Sequence, residues 1–163
     1  ASADDITVKV EYSDANPAEV GSDKKLKSKI NGQNVNIDGL DFKKQPAKKQ
    51  GLDGLWRITG RQQDNKMSSI ARGDRKTIKL LVDGYFQWIA INPAEKGFYG
   101  TGGGKYSFNN KDYVEEILFF SRDNSRVGAK LTFKGEVKNK DWHHSGLSSK
   151  GDPIYEVWSL DGR

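Results

Sequence analysis

The chain has 163 residues, a formal net charge of +5 and no cysteine, and about a third of its residues are hydrophobic. This length predicts one domain, or one domain with an extension. The lack of cysteine excludes a disulfide scaffold, thiolate metal sites and a cysteine nucleophile. No apolar run approaches the roughly 20 residues of a membrane helix, so we predict no membrane span. Lysines lie mostly in turns, not in one stripe with interleaved aromatics, which predicts no nucleic-acid partner.

Residues 1–50 predict a small β extension followed by a linker. The run ITVKVEY at residues 6–12 alternates apolar and polar side chains, as a half-buried strand does. Asn31-Gly32 separates KLKSKI from NVNIDGLDF and predicts a hairpin. Residues 43–50 contain Pro46 and four lysines, which is typical of a linker. A β unit of this size is not stable alone, so we expect it to pack on other material.

Residues 51–163 predict an antiparallel barrel. Asp83-Gly84 joins two apolar runs, and a two-residue link of this type is a strong hairpin signal. Further hairpins are predicted at Asn109-Asn110 and Asn139-Lys140, whereas the polar run at residues 61–74 is interpreted as a loop. The predicted strands number about eight with short links. They close most simply as an up-and-down barrel, because closure removes the edges of the sheet.

Several segments of this region resemble one family. The Gly54-Leu55-Trp56 triplet resembles the Gly-x-Trp signature of lipocalins and other calycins. DGYFQW, GGGKYSFNNKDYVEEILFF, WHHSG and IYEVWS are similar to the lipocalin-like domain of uncharacterised secreted proteins from Bacteroidetes-type bacteria. The resemblance covers residues 52–160. It implies a calycin-like barrel in which Trp56 is buried at one end, an unassigned ligand, and no catalytic residues or cofactor.

The resemblance also favours a secreted or periplasmic location. The opening Ala1-Ser2-Ala3 matches what remains around a signal-peptidase site, and a cloning remnant is the alternative. We interpret the chain as the mature form of an exported protein whose leader has been removed.

Aromatic and carboxylate side chains on the barrel strands are the candidate site. An eight-stranded barrel is either filled by side chains or holds one small ligand, and aromatics with a few polar groups usually line such a pocket. One of Glu115 and Glu116 must point inward if that strand is continuous, and a buried carboxylate needs a partner. The candidate partners are Arg57, His143 or His144, and tyrosine hydroxyls. The predicted ligand-binding residues are Tyr85, Trp88, Tyr106, Tyr113, Glu115, Trp142, His143 and Glu156.

The sequence gives weaker support for a phosphate-binding loop or a metal site. The glycines at 97, 100 and 102–104 do not form a phosphate loop, because Lys105 is followed by Tyr106 and a strand comes next. We interpret them as a flexible loop or a bulged strand entry. Neighbouring residues of a strand point to opposite faces, so at most one of His143 and His144 enters a cavity. A zinc site there needs additional carboxylate ligands, and no metal is predicted.

Three hypotheses for function remain open. The first is a barrel that binds a small, partly apolar molecule in its cup. The second is an interaction module with a filled barrel that docks through its outer face or its N-terminal unit, and the third is a hydrolase or isomerase built on the cup. We lean against an enzyme, because no catalytic motif is present. The carboxylates fit either a polar anchor for a ligand or a structural ion pair.

Three central runs, KLLV, WIAI and ILFF, are apolar on both faces, although a barrel strand that faces water alternates. We therefore expect the N-terminal strands to extend or cover the barrel sheet. A homodimer contact is the alternative cover.

Overall fold

The computed structural model describes residues 3–148 and 150–162, and these divide into two units. One unit contains the described residues up to Ala47 together with Asn92–Phe98, and the other contains Lys48–Ile91 and the described residues from Tyr99 onward. The predicted division placed its boundary after residue 50.

The first unit is a four-stranded antiparallel sheet in the order β1-β2-β3-β4. Its strands are β1 (Ala3–Lys9), β2 (Asp23–Asn31), β3 (Asn34–Ile37) and β4 (Leu40–Lys43). The stretch NVNIDGLDF, predicted as one strand, is two, because Asp38 and Gly39 have φ angles of 50° and 87° and form a hairpin loop. Tyr12 stacks on Phe98 with ring centroids 5.4 Å apart.

These four strands pair only with one another among the described residues. The prediction that they extend the barrel sheet is therefore wrong. The physical reason lies in their own hairpins, which pair β2 and β3 on both sides and β1 and β4 on one side without any barrel strand. A role as a cover stays a prediction.

The second unit is an eight-stranded antiparallel barrel with one additional strand, so the predicted fold class is confirmed. Consecutive barrel strands are neighbours, and the last strand pairs with the first. The strands are β5 (Gly54–Gln63), β6 (Lys66–Ser69), β7 (Lys76–Val82), β8 (Tyr85–Asn92), β9 (Gly97–Asn109), β10 (Asp112–Phe120), β11 (Lys130–Lys138), β12 (Asp141–Leu147) and β13 (Pro153–Gly162).

The additional strand β6 lies in residues 61–74, which were predicted to be a loop. Asp64 and Asn65 have φ angles of 50° and 59° and turn the chain, so β6 pairs with the end of β5. All four residues of β6 are exposed. Because none of them contributes to a core, the sequence carries no apolar alternation that would have indicated a strand.

Two-residue turns close one end of the barrel. Asp83-Gly84 and Asn139-Lys140 lie where predicted, and all four residues have positive φ angles. The middle turn is Asn110-Lys111, one residue later than predicted, because Asn109 still pairs with Asp112. Three longer connections, residues 64–75, 121–129 and 148–152, lie at the opposite end.

The barrel core lies near the short turns. Trp56 is 1 % exposed, which confirms its predicted burial. Its Nε1 donates a hydrogen bond to the Leu52 carbonyl at 2.8 Å, and its ring contacts Trp142 edge-on. This half of the barrel is filled by large side chains, which leaves the half near the longer connections as the place for a cavity.

The glycine run belongs to strand β9. A Cβ at Gly104 would lie 1.9 Å from the Glu116 carbonyl oxygen, and one at Gly102 would lie 2.7 Å from Trp88 Nε1. The partner strand β10 shifts register between Ile117 and Phe119 at this point. The glycines therefore permit close passage of β10 and an inward position for Trp88.

Candidate ligand cup

A cavity of about 480 Å³ opens at the barrel end that carries the longer connections. Its lining includes Arg122, Arg126 and Ser148 from those connections. The apolar part of the lining consists of Ile58, Trp88, Ala90, Ile117, Phe120, Leu131, Phe133, Ile154 and Trp158. The volume falls within the range of roughly 300–1,000 Å³ that is typical of small-molecule sites. We call this cavity the cup.

Strand alternation decides which side chains reach the cup. On β10, Glu115 and Ile117 point inward and are buried, whereas Glu116 between them is partly exposed. On β13, Ile154, Glu156 and Trp158 share the inward face. One of the two adjacent glutamates faces inward, as expected, and it is Glu115.

Glu115 forms a buried ion pair across the barrel interior with Lys79 of β7. Lys79 Nζ lies 2.8 Å from Glu115 Oε1, and each residue is 5 % exposed. The Tyr113 hydroxyl donates a hydrogen bond to the same oxygen at 2.7 Å. Burial, followed by the charge of Glu115, raises the pKa of Tyr113 well above its usual value. Tyrosine was among the expected partners of this carboxylate, but Lys79 was not.

Aromatic rings surround the Lys79 ammonium group. The nitrogen lies 5.0 Å from the Trp158 ring centroid and 5.3 Å from that of Trp142. The Tyr113 and Phe86 centroids lie 5.5 and 5.7 Å away. These contacts stabilise a cation that has left water, and they hold the ion pair at the floor of the cup.

The second inward carboxylate, Glu156, lies beside His144. Glu156 Oε2 accepts a hydrogen bond from Trp158 Nε1 at 3.1 Å and lies 3.5 Å from His144 Nδ1. His144 is 2 % exposed, and neither of its ring nitrogens forms a hydrogen bond with the described residues. Burial, assisted by the charge of Lys79, lowers the pKa of His144 below its ordinary value of 6.5. The ring is therefore neutral at neutral pH.

His143 does not point into the barrel, contrary to the prediction. Trp142 and His144 occupy the inward positions of β12, so His143 between them faces outward, and its Nδ1 lies 2.9 Å from the Tyr155 hydroxyl. Tyr85 is also outside the barrel and is 40 % exposed. Strand geometry requires adjacent side chains to point to opposite faces, but the sequence alone does not show which of His143 and His144 faces inward.

The other predicted residues divide between the cup and the core. Trp88, Glu115 and Glu156 line the cup. Tyr113 and Trp142 are fully buried beneath it, with ring centroids 4.9 Å apart.

Tyr106 is buried in the core, and its hydroxyl donates a hydrogen bond to the carboxylate of Asp53, just before β5. Burial and the Asp53 carboxylate raise its pKa far above the usual value.

Four arginines line the cup and were not predicted: Arg61, Arg75, Arg122 and Arg126. Arg75 lies over the Tyr99 ring at 4.0 Å, and Arg122 Nε donates a hydrogen bond to the Tyr99 carbonyl at 2.8 Å. Arg126 pairs with Asp123 at 3.3 Å. Three of the four follow or precede strands at the same barrel end, so barrel topology combined with loop composition could have found them.

The outer wall of the barrel carries an exposed apolar patch. Leu80, Val82, Leu118 and Phe119 are between 42 and 49 % exposed. Together with Tyr85 and neighbouring residues, these four side chains line a groove of about 270 Å³. We call Leu80, Val82, Leu118 and Phe119 the outer patch. The WIAI run behaves differently, because Ile89, Ala90 and Ile91 are all buried.

Comparisons with known proteins do not assign a family to this chain. No protein-family model and no curated protein matches the sequence. A crystal structure of an uncharacterised protein from Bacteroides eggerthii is similar at 18 % identity and a TM-score of 0.43. The alignment covers 66 % of this chain and 98 % of that one.

The described residues contain no helix that is both long and apolar enough to cross a membrane. They also contain no group of three or more histidine, aspartate or glutamate side chains placed to hold a metal ion.

Proposed function

We propose that this chain is an extracytoplasmic, lipocalin-like barrel that binds a small, partly apolar molecule in the cup. The observation that carries the proposal is the contrast between the two halves of the barrel. Around Trp56 the interior is filled, whereas the other half contains an open cavity of about 480 Å³ whose wall is divided between apolar and polar side chains. A barrel that served only as a structural module would gain stability by filling this space.

The polar groups of the cup support binding rather than chemistry. The carboxylate of Glu115 is occupied by Lys79 and Tyr113, and Glu156 accepts a hydrogen bond from Trp158. Neither carboxylate stands beside a nucleophile, and His144 is buried. The groups therefore fix the shape of the floor and leave the apolar wall to contact a ligand.

A neutral fluorescent probe, N-phenyl-1-naphthylamine, tests the proposal directly. We expect saturable fluorescence enhancement with the native chain, because the probe is apolar and fits a cavity of this size. The variant Ala90→Phe places a ring in the cup and should abolish the enhancement. The exposed Ser107→Phe on β9 is the matched control and should leave it unchanged. Equal binding by native protein and Ala90→Phe would contradict a ligand site in the cup.

The extracytoplasmic part of the proposal rests on the family resemblance. Fractionation of the cells that naturally produce the protein, followed by immunoblotting, tests it. We expect the chain in the periplasm or the medium, and recovery in the cytoplasm would contradict export.

The outer patch favours a second candidate function, a docking surface on the barrel wall. Single exposed apolar side chains are common on protein surfaces, but contiguous exposed apolar patches often mark interaction surfaces. A homodimer is the simplest occupant. We expect Leu80→Ser/Phe119→Ser to remove concentration-dependent association in sedimentation velocity. A native chain that stays monomeric at every concentration would exclude the homodimer.

A further inference from the structure

The lining of the cup carries more cations than carboxylates. Four arginines and Lys79 contribute five cations, whereas Glu115 and Glu156 contribute two carboxylates. With His144 neutral, the lining carries a formal excess of three positive charges. A cavity bounded by low-dielectric walls focuses such a field and attracts anions.

Arg75 and Arg122 are the cations best placed to meet a ligand. Both are exposed, and both donate hydrogen bonds to backbone carbonyls, those of Lys76 and Ile91 for Arg75 and that of Tyr99 for Arg122. These contacts orient the guanidinium groups without neutralising their charge. Arg126 and Arg61 are each closer to a carboxylate, at 3.3 and 4.0 Å.

The floor of the cup is not a site for an anion. Lys79 is already balanced by Glu115 at 2.8 Å. Next to it, His144 is neutral and has the Glu156 carboxylate 3.5 Å from Nδ1. An anion that reached this depth would lose its hydration and meet two carboxylates, which is unfavourable.

The middle of the cup is apolar and includes Trp88, Ile117, Phe120 and Leu131. A purely polar anion such as phosphate would leave this wall in contact with water. A polyanion such as a nucleic acid would contact the arginines but could not enter. The combination of a cationic mouth with an apolar interior fits an amphiphile.

We infer that the ligand is an amphiphile with a single anionic headgroup, carboxylate or sulfate, bound at the mouth by Arg75 and Arg122 with its apolar body in the cup. This inference rests on the proposed function, since it assigns the chemical class of the molecule that the cup binds. Guanidinium groups suit it because they bind both headgroups through paired hydrogen bonds.

Displacement of N-phenyl-1-naphthylamine by four ligands with ten-carbon chains tests the headgroup. The ligands are decanoate, decyl sulfate, decanol and decyltrimethylammonium, each used below its micelle concentration. We expect the two anions to displace the probe at concentrations lower by about tenfold or more than decanol, and the cation to be weakest. Added salt should weaken decanoate and leave decanol unchanged.

The variants Arg75→Gln and Arg122→Gln should each weaken decanoate by about tenfold without changing decanol. Arg72→Gln is the control, because this substitution removes the same positive charge from a residue that pairs with Asp161 outside the cup. Thermal melting of each variant identifies any that fails to fold, and the salt dependence of the native chain tests the inference without variants.

Equal displacement by all four ligands overturns the anionic headgroup but leaves the proposed function intact. Loss of all binding, including that of the neutral probe, overturns both. Displacement of the probe by a short oligonucleotide would overturn the inference and assign the mouth to a polyanion.

Discussion

Lys79 and Glu115 are the residues whose placement most affects the barrel interior. Their charges are withdrawn from water, so each depends on the other for compensation, and Tyr113 satisfies a further lone pair of the carboxylate. The pair has two separable consequences. It stabilises the barrel only as an intact unit, and it keeps the floor of the cup neutral.

The first prediction concerns removal of one member of this pair. Lys79→Met should lower the free energy of unfolding by about 3–5 kcal/mol, because Glu115 is left buried without a counter-charge. The double variant Lys79→Met/Glu115→Leu should recover much of that loss. Urea unfolding measures both. Lys134→Met is the control, since Lys134 and Asp112 are exposed and their pair contributes little. Similar losses in Lys79→Met and in Lys134→Met would show that the inner pair is not energetically buried.

The second prediction concerns the pH dependence contributed by His144. Its pKa in the folded chain lies below the 6.5 of the free side chain. The unfolded chain therefore binds a proton more readily, and the stability from neutral His144 is present above pH 6.5 and lost as the pH falls through the folded-state pKa. Chemical unfolding between pH 7.5 and about pH 5, above the range where most carboxylates titrate, measures this loss.

The variant His144→Phe should flatten that pH dependence, whereas His143→Phe, at the outward neighbouring position, should retain it. An unchanged slope in His144→Phe would assign the proton uptake to another group.

At the scale of elements, the hairpins explain both the successes and the failures of prediction. Asp83-Gly84 and Asn139-Lys140 were identified because local turn chemistry requires no knowledge of the rest of the fold. Strand β6 was missed because its exposed residues carry no apolar alternation. The break at Asp38-Gly39 was overlooked although it carries the same Asp-Gly turn signal as Asp83-Gly84. The inward role of His144 needed the register of β12 against its neighbours. The arginine mouth needed the topology that brings distant loops to one end.

The third prediction concerns the turn at Asn139-Lys140. Lys140 has a φ of 71°, a conformation that glycine adopts without cost. Lys140→Gly should raise the free energy of unfolding by roughly 0.5–1 kcal/mol, because the relief of strain exceeds the entropy gained by the unfolded chain. Lys138→Gly, on the adjoining strand, is the control and should destabilise. Destabilisation by both substitutions would mean that the turn is not strained at Lys140.

At the scale of the whole barrel, closure depends on the pairing of β5 with β13, whose residues are about a hundred positions apart. Thr59 Oγ1 and Ser159 Oγ lie 2.8 Å apart across this seam. Long-range pairing of this kind forms slowly, because loop-closure entropy opposes it. Once formed, it removes both edges of the sheet.

The fourth prediction tests the seam. Deletion of residues 153–163 should remove cooperative unfolding and probe binding, since β5 and β12 become open edges and Trp158 leaves the core. Replacing residues 62–67 with Asn-Gly is the control, because it shortens the exposed β5–β6 hairpin by two residues per strand and keeps its register. Near-ultraviolet circular dichroism and urea unfolding report the result. A cooperative transition in the chain lacking β13 would show that the barrel does not depend on closure.

The contrast between the two ends of the barrel also bears on how the protein can change over time. The end with two-residue turns combines the packed core with positive φ angles, so most substitutions there reduce stability. In the proposed complex, the end with longer connections supplies the headgroup contacts through Arg75 and Arg122, which lie outside the core. Mutations in residues 121–129 and 148–152 can therefore alter which ligand is preferred while folding stays the same, and selection can act on the two properties separately. A library of variants confined to those two loops would retain folded members with altered preference, which makes this barrel a practical scaffold for selecting new small-molecule binders.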